Sequence, residues 1–193
     1  MDLLSLCLKS RSYRRFDETY QVEVDTLYEL IKLAQFSPSG NNVQPLKYWI
    51  SHTPEMNQVV FSQLGWAGGL KDWHGPEKGE RPSAYILILG DTEISVNYGV
   101  DHGIAAQSMK LGAAALGLGT CMIASIQRDV LSQALGIPDR YQILLALAIG
   151  KPAEIVVTEP VSGSGSTNYY RDEDDVHHVP KRSLEELILN KST

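Results

Sequence analysis

Residues 96–124 read VNYGVDHGIAAQSMKLGAAALGLGTCMIA. Val96 to about Leu116 forms the longest helical stretch in the chain. Ile104, Ser108, Leu111, Ala115 and Leu118 step by 4, 3, 4 and 3, the spacing of one helix face. Gly103, Ala105, Ala106, Gly112, Ala113, Ala114 and Ala115 leave this helix thin on several sides. Thin helices let neighbours approach closely, which places it at the protein centre or at a subunit interface. Gly117-Leu118-Gly119 stops it, and Thr120 to Ala124 follows as a strand.

Elements of both kinds flank this unit. Helices are predicted over Asp2 to Ser10, over Val24 to Phe36 (with Leu27, Leu30, Ile31 and Ala34 as its apolar stripe) and over Arg128 to Leu135, the last closed by Gly136-Ile137-Pro138. A short helix begins near Pro54 with Thr53 as its cap. Strands are predicted at Leu46–Ile50, Tyr85–Leu89 and Tyr141–Ile149. This order implies an α+β layered fold, one sheet flanked by helices, in a single domain spanning 1–193. Residues 64–82, rich in Gly and Pro, form a long loop of the kind that serves as a lid. Residues 160–182 read as an extended tail.

The chain has 193 residues, 43% hydrophobic and 21% charged, close to the soluble norm. Its net charge of −6 argues against general nucleic-acid binding. Two cysteines without a CxxC exclude a Cys-rich zinc site, and no metal is expected. The apolar run Ile143–Ile149 falls far short of the ~20 residues of a membrane helix. The apolar Leu3, Leu4, Leu6 and Leu8 precede their basic residues, the reverse of a signal peptide. A reduced, cytoplasmic protein is expected. His177-His178 lack metal-ligand spacing and read as solvated or hydrogen-bonded, Asp172–Asp175 reads as a solvated acidic loop, and Cys121 reads as core.

Three constellations can carry chemistry. Arg11-Ser12-Tyr13-Arg14-Arg15 is either a solvated basic surface or an anion site, in which guanidinium forks and a hydroxyl take phosphate oxygens. Pro38-Ser39-Gly40-Asn41-Asn42-Val43-Gln44-Pro45 is either a plain turn or a loop whose Asn42 and Gln44 amides suit the edge of a planar heterocycle. Pro180-Lys181-Arg182-Ser183 adds phosphate charge if it folds back beside Arg11. In the long loop, core packing and stacking over a substrate are both open to Trp66 and Trp73, and Lys71 and His74 could meet an anionic substrate.

Taken in order, RSYRRF, PSGNNVQP, GLGTCMIASI, LGIPDRYQILLALAIGKPAE and PKRSLEEL resemble the nitroreductase-like family of FMN-dependent oxidoreductases over almost the whole chain. The resemblance implies a central, mostly antiparallel sheet in an intertwined homodimer. It implies that Arg11, Ser12 and Arg14 bind the flavin phosphate and its neighbourhood. Pro38, Ser39, Asn42 and Gln44 would cover the isoalloxazine from the partner subunit, Ile123, Ala124 and Ser125 would lie beside the ring, and Lys181 and Arg182 would clamp the phosphate. Ser10 departs from a family pattern of two basic residues before the serine, with Lys9 or Arg15 as candidates to compensate. No residue is expected to be catalytic in its own right, because flavin chemistry belongs to the cofactor. Consistent with this, the chain lacks GxSxG, HExxH and a P-loop, and Met122 breaks any GxGxxG after Gly117. The implied activity is ping-pong hydride transfer from NAD(P)H through FMN to nitroaromatic, quinone or similar electron-poor acceptors. Alternatives are a specialised flavoenzyme of the same fold (dehalogenase-like, flavin-cleaving or dehydrogenating) and a non-enzymatic flavin carrier or sensor.

Overall fold

The computed structural model describes residues 2–70, 73–163 and 165–190. In chain order the elements are α1 (Leu3–Lys9), β1 (Phe16–Asp17), α2 (Val24–Gln35), β2 (Leu46–Ser51), α3 (Pro54–Phe61), β3 (Ala84–Asp91), α4 (Asp101–Ala115), β4 (Gly119–Ile123), α5 (Arg128–Leu135), β5 (Tyr141–Pro152), β6 (Val156–Pro160), β7 (Tyr170–Arg171), β8 (His177–Lys181) and α6 (Leu184–Leu187). A five-stranded sheet runs β1-β5-β3-β2, with β4 also on β5, and each of these pairings is antiparallel.

Strand β3 is buried along its whole length, so both faces of the sheet are covered. Its residues alternate between two cores. Ala84, Ile86 and Ile88 join Leu27 and Leu30 of α2 and Ala105, Ala106, Met109 and Ala113 of α4. Tyr85, Leu87 and Leu89 meet Val60 of α3, Leu131 of α5, and Phe16, Cys121 and Ile123. The register of β5 on β3 slips where Ile88 faces Leu145 but Leu89 faces Ile143. This bulge at Leu144 switches the parity of β5, so that Leu145 and Leu147 face one core while Ile143 faces the other. The Arg128 guanidinium anchors the bulge, donating to the Ile143 carbonyl at 2.9 Å.

Most predicted elements stand within a residue or two of their expected places. Thr53 caps α3, its hydroxyl accepting from the Met56 N–H, and Gly136 ends α5 in the left-handed conformation. Three features differ. Helix α4 starts at Asp101, not Val96, because Asn97 Oδ1 accepts from the Gly99 N–H at 3.1 Å and Gly99 has φ +47°, which closes a turn before the helix. Of the expected stripe, Ile104, Ser108, Leu111 and Ala115 are partly or wholly exposed while Leu118, beyond the helix, is buried, and the fully packed side carries Ala105, Ala106, Met109, Ala113 and Ala114. Alanines bring α4 close to the sheet, and most of its buried residues are small, with Met109 and Lys110 the large side chains among them. The tail is not merely extended. Strand β8 pairs parallel to β6 and antiparallel to β7, making a second, three-stranded sheet. Short α6 follows, with Ser183 and Glu186 forming a capping box.

Candidate functional site

The segment after α1 is pinned to the sheet. Ser12 bridges to Thr120 of β4, and the Tyr13 N–H donates to the Thr120 carbonyl at 3.0 Å. Gly119 leaves room for the Tyr13 ring, which a Cβ there would meet at 2.9 Å. The Arg11 guanidinium turns back to the Cys7 carbonyl, one of the free acceptors at the end of α1. Its Nε is buried without a hydrogen-bond partner, and Arg11 forms no ion pair among the described residues. The Ser12 hydroxyl faces the Cys121 sulfur.

Arg14 is 9% exposed. It donates to the Ser12 carbonyl at 3.2 Å and to His177 Nε2 at 2.9 Å, and its guanidinium lies 4.4 Å from the centre of the Tyr169 ring. A guanidinium only donates, so His177 accepts through Nε2 and is neutral. Burial first, and Arg14 second, hold the His177 pKa down to about 4. The Arg14 and Arg15 N–H groups donate to Glu154 Oε1, whose other oxygen pairs with Arg171 at 2.9 Å. Arg15 is committed to Glu80 and Asp175, and Lys9 is exposed at the end of α1.

Sequence reading missed Lys110. It lies on the inward side of α4, 4% exposed, and its ammonium forms no hydrogen bond or ion pair among the described residues. Burial lowers its pKa, and Arg11 and Arg14 push the same way. The available signal was a lone lysine four residues from both Ala106 and Ala114, inside a face of small residues.

The Pro38–Pro45 loop is built around Asp101, the first residue of α4. The buried Asp101 carboxylate accepts from Ser39 Oγ at 2.6 Å and from the Gly40 N–H at 3.0 Å. Ser39 Oγ in turn accepts from the Gln44 N–H at 2.9 Å. Asn41, Asn42 and Gln44 have φ of +49°, +56° and +53°; asparagine tolerates this left-handed region, while Gln44 holds it only where its surroundings impose it. The exposed Asn42 and Gln44 face outward beside a concavity of about 320 Å³ lined by Ser39, Gln44, Lys47, Tyr48 and Asp101. Burial, and secondarily Asp101, raise the Tyr48 pKa to about 12. A larger hollow of about 750 Å³ lies beside α5 and contains none of the residues expected at the site.

The remaining expected residues are dispersed. Ile123 is core, while Ala124 and Ser125 are exposed beyond β4. The Ser125 carbonyl accepts from the Gly65 N–H at 2.8 Å. Trp66 is 8% exposed in the second core, against Phe61, so packing explains it. Trp73 is covered by the Arg171 guanidinium at 4.7 Å, His74 is exposed, and Lys71 lies outside the described residues. Lys181 ends β8, and Arg182 pairs with Glu186 at 3.4 Å. Arg182 lies five residue steps beyond His177, about 16 Å along the chain, and none of its described contacts is with Arg11, Ser12 or Arg14.

The tail and the long loop hold one another. The Gly69 N–H donates to Tyr169 Oη at 3.0 Å, and Arg171 covers Trp73. A Cβ on Gly69 would stand 2.8 Å from the Tyr169 ring.

Comparison with known proteins bears on this architecture. An FMN reductase (NADPH) from Bacillus subtilis (strain 168) is 36% identical over 172 residues, covering 79% of this chain and 67% of that protein. Among solved structures, a nitroreductase in complex with FMN from Exiguobacterium sibiricum 255-15 superposes with a TM-score of 0.68 at 19% identity, over 80% of this chain and 90% of that one. An FMN-dependent nitroreductase from Clostridium difficile R20291 gives 0.64 at 23% identity, over 89% and 94%. These two likenesses speak to the fold. The model of the Nitroreductase family matches residues 8–64 and 80–151, leaving out most of the long loop and the whole tail sheet. The matched segments hold the anion-site arginines, the strained loop and four of the five strands of the main sheet together with most of β5, and by that match the chain belongs to the nitroreductase family.

Proposed function

We propose that this protein is an FMN-dependent NAD(P)H oxidoreductase acting as a homodimer. The observation that carries the reading is the gathering of Arg11, Ser12 and Arg14 over β4, with Arg11 Nε buried and unpartnered. A monoester phosphate of about −1.5 to −2 charges fits that donor set, since it needs several charged donors at once. The B. subtilis relative, named an FMN reductase (NADPH), supports the same cofactor and donor. Bound FMN would supply hydride acceptance from the nicotinamide and delivery to an electron-poor acceptor such as a nitroaromatic or quinone. A single site used by both substrates in turn gives ping-pong kinetics.

The chain's own residues bind and orient. Arg11 and Ser12 offer donors to the phosphate, while Arg14 is held in place by His177, Tyr169 and the Ser12 carbonyl. Asp101 fixes the Pro38–Pro45 loop so that Asn42 and Gln44 present amides to a heterocycle edge. Ile123, Ala124 and Ser125 form the strand end beside it. Lys181 and Arg182 enter as outer cations, with Arg182 exchanging Glu186 for phosphate.

Within one chain, the loop meets α4 at Asp101 and the anion site meets it near Lys110. These are nine residues apart, about 14 Å along a helix. In our reading the loop of a second copy completes each site. The apolar faces left open support that copy: Val100 is 71% exposed, Leu116 60%, and Leu3 and Leu4 of α1 68% and 69%. None of the described helices is long and apolar enough to cross a membrane, and two free thiols suit a reducing compartment such as the cytoplasm.

The mutual packing of the long loop and tail, both largely outside the family match, favours a second reading in which they select a specialised acceptor. The deciding experiment is the visible spectrum of the purified protein, followed by addition of NADH and NADPH. A yellow dimer bleached by either nicotinamide is expected. Colourless protein that takes up no FMN would overturn the proposal, and yellow protein that neither nicotinamide bleaches would make it a flavin carrier or sensor.

A further inference from the structure

Lys110 has a cost that no contact among the described residues offsets. A buried ammonium is strongly disfavoured unless an anion faces it. Here the side chain is 4% exposed, on a helix packed against both α1 and β4, and no carboxylate among the described residues pairs with it. The charged side chains acting on it are Arg11 and Arg14, which are cations. The nearby Cys121 is no counter-ion, because burial pushes its thiol pKa up and keeps it neutral. Glu154 is already taken by Arg171 and by the Arg14 and Arg15 N–H groups. The other basic residues near the site are engaged or remote: Arg15 is tied to Glu80 and Asp175, and Lys9 is exposed on α1. Two orphaned donors, Ser10 Oγ and Arg11 Nε, are buried in the adjoining segment.

We propose that Lys110 is a phosphate-binding residue, the buried cation that completes the anion site of Arg11, Ser12 and Arg14 and selects the phosphorylated flavin over the unphosphorylated one. The inference rests on the FMN reading. Its chemistry is simple: three cations and a hydroxyl lie together, the carboxylate beside them, Glu154, is held by Arg171 and the Arg14 and Arg15 N–H groups, and a dianionic monoester is the ligand that neutralises them. Lys110 adds a point charge from α4, an element other than the Arg11–Arg15 segment.

The test compares FMN with riboflavin, which has the same ring but no phosphate, on apoprotein of the wild type, Lys110→Met and Lys110→Arg. Binding is read by quenching of flavin fluorescence, and the effect of inorganic phosphate by thermal melting. In Lys110→Met, FMN affinity is expected to fall roughly ten- to a hundredfold, the range for a charge-assisted hydrogen bond. Riboflavin affinity should stay unchanged. The Met variant, freed of an unpaired buried charge, should melt above the wild type without ligand, and phosphate should stabilise it less. Lys110→Arg should recover part of the FMN affinity.

Unchanged FMN affinity in Lys110→Met would overturn the proposal, as would an equal loss for FMN and riboflavin, which marks a structural role. If the wild type binds no flavin but phosphate stabilises it through Lys110, the cofactor reading fails while the anion-site role stands. If neither ligand acts, both fail.

Discussion

Asp101 is the residue on which the strained loop depends, and Asp101→Ala tests that dependence. The carboxylate accepts from Ser39 Oγ at 2.6 Å and from the Gly40 N–H at 3.0 Å. Hydrogen bonds to a charged group contribute about 1.5–3 kcal/mol each. The two share one loop, so their loss is less than additive and about 3 kcal/mol is expected. For a chain of this size that lowers the melting temperature by roughly 6–12 °C. Asp101→Asn keeps an acceptor for Gly40 but turns an amide NH₂ toward Ser39, so about half of that loss is expected. The functional effect should exceed the stability effect. Without Asp101, the left-handed conformations of Asn41, Asn42 and Gln44 lose the contacts that hold them, and the loop departs from the shape that presents Asn42 and Gln44. The assay pairs thermal melting at fixed protein concentration with FMN titration. An Asp101→Ala protein that melts within about 3 °C of the wild type and keeps wild-type FMN affinity would refute the loop's dependence on α4.

Three further outcomes are expected. Arg11→Ala should weaken FMN retention roughly tenfold or more, whereas Arg182→Ala, whose side chain is half-exposed beside Glu186, tests by equilibrium dialysis whether the end of β8 reaches the phosphate at all. The tail histidines should respond to pH in opposite senses. His177 has a folded pKa of about 4, held down by burial and Arg14, against about 6.5 unfolded. The unfolded chain therefore binds a proton that the fold refuses, and stability should fall as pH drops from about 6.5 toward 4. His178 is raised by hydrogen bonds to Asp172 and Glu159. Its contribution is complete below its unfolded pKa and is lost as pH rises through the higher folded value. Denaturant midpoints across pH, with His177→Gln and His178→Gln abolishing the acid and the alkaline change respectively, check both signs. Finally, Cys7 should label with a thiol reagent in the native protein at neutral pH, while the buried Cys121, its pKa raised by desolvation, should label only on unfolding; mass spectrometry of the labelled peptides decides.

Local rules account for what was legible in the amino-acid order. Helix spacing, caps at Thr53 and Gly136, and β-branched runs act between near neighbours, so α2, α3, α5 and the central strands could be placed from residues alone. RSYRRF and PSGNNVQP were likewise recognisable as groups of donors, because donor chemistry belongs to residue types. What required the folded chain was everything set by contacts distant in sequence. The parity of β5 turns on a bulge opposite Ile88, the inward side of α4 on how closely alanines let it approach the sheet, and the tail sheet on a parallel pairing of β6 with β8. Trp66 proved to be core, and the described contacts of Arg182 are with Glu186, not Arg11. Above all, no rule of spacing joins Lys110 to Arg11 and Arg14: nearly a hundred residues separate them, and only the packing of α4 against β4 and α1 brings their charges together.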